Sequence, residues 1–131
     1  MRLFALSDIH VDYPDNARWV DALSSEDYRQ DTLILAGDLT EDRRLLAWCL
    51  QRFVAKFRQV LFVPGNHDLW VRRDPDIDCS LRKFDAVLAI AADSGAWMEP
   101  RLHHDSLIVP LLSWYDYSFG PPSDDLRAMW M

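Results

Sequence analysis

The sequence predicts an α/β domain built on a parallel sheet, and three observations carry that expectation. Three short apolar runs, Leu3–Leu6, Thr32–Ala36 and Val60–Val63, each lead straight into a polar cluster. Between the second and third runs, Leu45, Leu46, Trp48, Cys49, Phe53 and Phe57 recur at near-helical spacing. Finally, 28 residues separate His10 from Asp38, and 28 again separate Asp38 from Asn66. That is close to the ~30 residues of a strand–helix–strand unit.

Each element follows from its local pattern. The apolar runs lack alternation and are rich in β-branched and aromatic residues, which fits strands buried on both faces. A weak helix is expected over residues 16–23 and an amphipathic one over 43–57. A third helix is expected over 79–93, closed by Gly95. Beyond it, residues 97–102 and 107–112 read as strands joined by a turn at His104-Asp105-Ser106. Gly120-Pro121-Pro122 is a break, and Ser123-Asp124-Asp125 caps a helix expected from Leu126. No linker or low-complexity tract divides the 131 residues, so residues 1–131 are expected to form a single domain with helices on the faces of the sheet.

Composition narrows the function classes. A net charge of −7 argues against nucleic acid as a partner, because phosphate backbones reward basic surfaces. A phosphorylated small molecule or nucleotide stays compatible, since clustered carboxylates can hold cations that then face the phosphate. Cys49 and Cys79 show no CxxC spacing, which suits a reducing compartment. No apolar run approaches membrane-spanning length, and the expected location is the cytoplasm. Oligomeric state is left open.

The polar clusters carry the chemistry. In an extended chain Asp8 and His10 project to the same side and can converge on one cation. Alone, that pair is weak, because Asp8 could equally cap a turn. Asp38 follows Gly37 at the end of the second run, and its two carboxylate oxygens can bridge two metal ions. The third cluster, Gly65-Asn66-His67-Asp68, offers an amide oxygen, an imidazole and a carboxylate in succession. His67 can donate a proton, with Asp68 accepting its other N–H to fix the ring. Three such clusters at three successive strand ends are where ligands sit in parallel α/β sheets. Trp70 and Arg72-Arg73 follow the third cluster and read as surface loop or substrate mouth.

Asp8-x-His10, Gly37-Asp38 and Gly65-Asn66-His67-Asp68, in this order, closely resemble the motifs of the calcineurin-like metallophosphoesterases. The resemblance implies a metallophosphoesterase-like α/β sandwich and hydrolysis of a phosphomonoester, phosphodiester or nucleotide. By it, Asp8 and His10 bind a first metal, Asp38 bridges, and Asn66 binds the second. Asn66 and His67 then meet the substrate, with His67 and Asp68 as the catalytic pair. Two divalent cations would activate a hydroxide and clamp the phosphoryl oxygens. Mixed oxygen and nitrogen ligands favour Mn²⁺, Fe or Zn²⁺ over Ca²⁺ without choosing among them, and Mn²⁺ is the first expectation, with Fe or Zn²⁺ as alternatives. The family pattern continues with a lone histidine and a Gly-His-x-His element, and neither has a counterpart here. The histidines are 10, 67, 103 and 104, and the last two read as surface turn residues. The second half of the domain is therefore expected to be missing, the chain being an N-terminal fragment. A non-hydrolytic binding or scaffold protein on the same fold is the alternative.

Overall fold

The computed structural model describes residues 1–113, 120, 121, 123–125 and 128. Strands β1 (Leu3–Leu6), β2 (Thr32–Ala36) and β3 (Gln59–Val63) form a parallel sheet in the order β1-β2-β3. The registers pair Leu6 with Leu35 and Ala36 with Val63, so the three strands end at one edge. Helices α1 (Pro14–Ala22) and α2 (Arg43–Val54) make the crossovers, and α3 (Ser80–Ser94) follows β3. A short hairpin, β4 (Arg101–His103) and β5 (Ser106–Ile108), completes the described elements.

Local chemistry explains the boundaries. Pro14 occupies the first turn of α1, where a missing N–H costs nothing. This starts the helix two residues earlier than periodicity alone indicates. Asp42 caps α2, its Oδ1 accepting from the N–H groups of Arg44 at 2.7 Å and Leu45 at 3.0 Å. Helix α2 stops at Val54, short of the expected 57, and turns through Ala55 to Phe57. Gly95, at φ +84°, closes α3 where the sequence indicates. Both lysines are buried clamps. Lys56 Nζ donates to the Asp21 and Leu23 carbonyls at the end of α1. Lys83, 1% exposed, reaches the Glu41 carbonyl and the Asp74 carboxylate.

The two faces of the sheet differ. Leu33, Leu35, Val60 and Phe62 point into a core with Val20 of α1, Leu46, Leu50 and Phe53 of α2, and Val87 and Ala91 of α3. The helices thus share one face, as same-handed crossovers moving one way across a sheet require. On the other face Leu61 and Ile34 lie under Ile108, Val109, Pro110 and Leu111, while Leu3 is 46% exposed. Burial on both faces therefore fails for the edge strand β1, whose residues alternate between exposed and half-buried.

The strand expected over 97–102 is also divided. Trp97 extends the sheet by a bridge to Leu61, with Trp97 N–H to the Val60 carbonyl at 2.9 Å. Only Arg101–His103 enters the hairpin. His103 is not a free turn residue: it pairs with Ser106, and its Nδ1 lies 3.2 Å from Thr32 Oγ1. His104, at φ +55°, makes the turn. At this same amino end of the sheet, Asp31 receives the Arg2 N–H at 2.6 Å and the guanidinium at 2.7 Å, which holds its carboxyl below the ordinary range. Of the helix expected from Leu126, residues 126, 127 and 129–131 lie outside the described residues.

Candidate metal centre

The three polar clusters lie on the loops that leave β1, β2 and β3. Asp8, His10 and Asp38 all take left-handed backbone, with φ of +54°, +46° and +57°. Each such residue costs about 1–3 kcal/mol, so the surroundings must enforce it. The loops are stitched together to do so. Asp8 N–H donates to the Gly37 carbonyl at 3.0 Å, His10 N–H to the Asp38 carbonyl at 3.1 Å, and Val11 N–H to Leu39 at 2.9 Å. Asn16, on α1, holds the first loop from beneath, its amide donating to the Ile9 carbonyl at 2.6 Å and the His10 carbonyl at 3.2 Å.

Two glycines let the second and third loops touch. A Cβ on Gly37 would stand 2.5 Å from Gly65 N, and one on Gly65 would stand 2.3 Å from Asp38 Oδ1. No side chain fits at either place. That close approach brings the His67 N–H to Asp38 Oδ1 at 3.0 Å.

Asp68 departs from its expected role. Its carboxylate, 0% exposed, does not meet the His67 ring. Oδ2 accepts the N–H groups of Asp38 at 2.8 Å and Gly65 at 2.9 Å, and Oδ1 those of Leu39 at 2.9 Å and Thr40 at 3.1 Å. Four backbone donors use the acceptor capacity of both oxygens, leaving none for an imidazole. Asp68 is therefore a clamp between the loops after β2 and β3. Burial raises its carboxyl above the ordinary 3.8, and the four N–H groups oppose that shift. Burial, with the Asp68 charge behind it, pushes the nearby Cys49 thiol up to about 12, which makes it inert at neutral pH.

Above this scaffold His10, Asp38 and His67 bring one ligand atom each to within 4.8 Å of one another. Two imidazole nitrogens and a carboxylate oxygen are a donor set suited to a divalent transition metal, so the residues present fit such an ion. The His10 and His67 rings meet edge to face, with centroids 4.8 Å apart. Asp8 sits on the same loop as His10 but outside this triplet. Both positions take left-handed backbone, so their placement does not come from simple strand alternation. Asn66 opens the short 3₁₀ turn His67–Leu69 and lines a cleft of about 440 Å³ beside Asp38, Gly65 and Trp70. The hairpin pair, His103 and His104, lies outside the centre. Asp12 and Thr40 also support it, joined at 2.8 Å, with Arg73 ion-paired to Asp12 and Glu41. Arg73 is thus engaged in the scaffold. Neither Asn16 nor the Asp12–Thr40 pair carried a sequence signal, because their partners are backbone groups or distant side chains.

The family model for calcineurin-like phosphoesterases matches residues 1–121. The chain belongs to the calcineurin-like phosphoesterase family. Within it, the chain is 33% identical over 138 residues to the acyl-carrier-protein phosphodiesterase PptH of Mycobacterium tuberculosis, a match covering 96% of this chain and 41% of that protein. It is also similar to the crystal structure of phosphopantetheinyl hydrolase (PptH) from the same organism. That match has a TM-score of 0.79 and 29% identity, over 97% of this chain and 49% of that one. The chain thus spans less than half the length of the curated relative it matches. Among the described residues, no helix of this calcineurin-like phosphoesterase is long and apolar enough to cross a membrane.

Proposed function

We propose that this chain supplies one side of the active site of a metal-dependent phosphoesterase. The carrying observation is the convergence of His10, Asp38 and His67, their ligand atoms within 4.8 Å, at the carboxyl edge of a parallel sheet. Asp8 and His10 would hold one divalent ion, Asp38 would bridge, and Asn66 would hold a second. Mn²⁺ is the first choice, with Fe or Zn²⁺ as alternatives. When bound, such ions polarise phosphoryl oxygens and lower the pKa of water.

The protein's own groups orient the substrate and handle the proton. His67 brings a ring nitrogen close to Asp38, which lines the cleft with Asn66, and from there it would contact the phosphate and hand a proton to the leaving oxygen. Asp68 acts at one remove, by fixing the backbone that carries Asp38 and Gly65. The likeness to an acyl-carrier-protein phosphodiesterase favours a phosphodiester as the substrate class, ahead of monoesters and nucleotides. A cytoplasmic setting accords with the two unpaired cysteines, Cys49 and Cys79.

The test is Mn²⁺-dependent hydrolysis of bis-p-nitrophenyl phosphate and of phosphopantetheinylated acyl-carrier protein. Asp38→Asn and His67→Ala should each lower kcat by about 10² or more. Unchanged turnover in both variants would remove the catalytic assignment and favour a scaffold role.

A further inference from the structure

We infer that Trp70 is the positioning residue of His67, holding its imidazole against the metal centre by a close, tilted ring contact. In this family motif the expected orienting partner is the following carboxylate, but here Asp68 is fully occupied by four backbone N–H groups. Among the described residues no hydrogen bond reaches a ring nitrogen of His67, so hydrogen bonding does not fix its orientation.

The ring contact does. The backbone from Asn66 to Trp70 winds as a 3₁₀ turn, with Leu69 N–H to the Asn66 carbonyl at 3.2 Å and Trp70 N–H to the His67 carbonyl at 3.2 Å. Side chains three residues apart eclipse in such a turn, which puts the indole over the imidazole. The ring centroids are 3.8 Å apart with planes inclined by 37°. The His10 and His67 rings meet at 4.8 Å with planes inclined by 83°. The His67 ring thus touches both Trp70 and His10. In the same turn Asp68 and Leu69 are buried. Arg72 brings its guanidinium within 5.9 Å of the indole, a cation that further favours this ring position.

The consequence for turnover rests on the phosphoesterase reading, whereas the ring contact itself can be read without it. In the metal-free protein, the His67 ring protons should show upfield NMR shifts from the indole ring current. They should return towards ordinary values in Trp70→Leu and hold an intermediate position in Trp70→Phe. In the Mn²⁺-loaded protein, Trp70→Leu should lower kcat by about tenfold to a hundredfold, as displacement of a catalytic group does, with KM nearly unchanged. Trp70→Phe should restore most of the loss. His67 resonances that are the same in wild type and Trp70→Phe would overturn the inference, even if Trp70→Leu failed to fold. So would a Trp70→Leu defect confined to KM. A protein with the upfield His67 resonances but no hydrolysis would support the ring contact and overturn the phosphoesterase reading.

Discussion

Two pairs of histidines in this protein meet edge to face at the same separation, with ring centroids 4.8 Å apart. One pair, His10 and His67, brackets Asp38 at the carboxyl edge of the sheet. The other, His103 and His104, is made of sequence neighbours on a hairpin beside the amino end of β2, where His103 meets Thr32 Oγ1. No carboxylate joins the second pair in a ligand cluster among the described residues. Ring proximity is therefore not what distinguishes a candidate site. His104 also takes left-handed backbone, so the distinguishing features are the Asp38 carboxylate and the long-range hydrogen bonds that hold Asp8 and His10 against the loop after β2.

That difference can be broken at its strongest point by Asp68→Asn. An amide keeps the side-chain shape but turns a donor towards two of the four backbone N–H groups. Each buried donor left unsatisfied costs about 1–3 kcal/mol, so a loss of about 3 kcal/mol or more is expected in urea unfolding. A midpoint equal to wild type would remove Asp68 from the scaffold. Gly65→Ala should do less, about 1–3 kcal/mol, because the new methyl meets Asp38 Oδ1 and the loop must shift to admit it. Its sharper signature is weaker Mn²⁺ binding measured by calorimetry, since the displaced group is the central carboxylate. Full-affinity binding in Gly65→Ala would show that the close approach of the two loops is incidental.

Much of this architecture was readable from the residues. The three apolar runs became β1, β2 and β3, and Asp38 and His67 arrived at neighbouring loops because each follows its strand directly. Gly95 ended α3 as its position indicated. What stayed hidden depended on partners far along the chain or on unusual backbone. Asp68 looked like a partner for its neighbour His67, yet its true partners are the N–H groups of residues 38, 39 and 40 and of Gly65. Strand alternation was the reason to align Asp8 with His10, whereas both residues take left-handed backbone on the loop after β1. The one-sided packing of helices was also hidden, since apolar runs do not report strand order. His103 reads as a turn residue until the hairpin register places it against Thr32.

The buttressed loops that carry His10 and Asp38, and not the hairpin pair, would hold metal. The most direct measurement is Mn²⁺ binding, by calorimetry and metal analysis, in wild type, His10→Ala/His67→Ala and His103→Ala/His104→Ala. Wild type and the hairpin variant should bind with similar affinity, and binding should be lost in His10→Ala/His67→Ala. Binding retained in that variant, or lost in the hairpin variant, would contradict it.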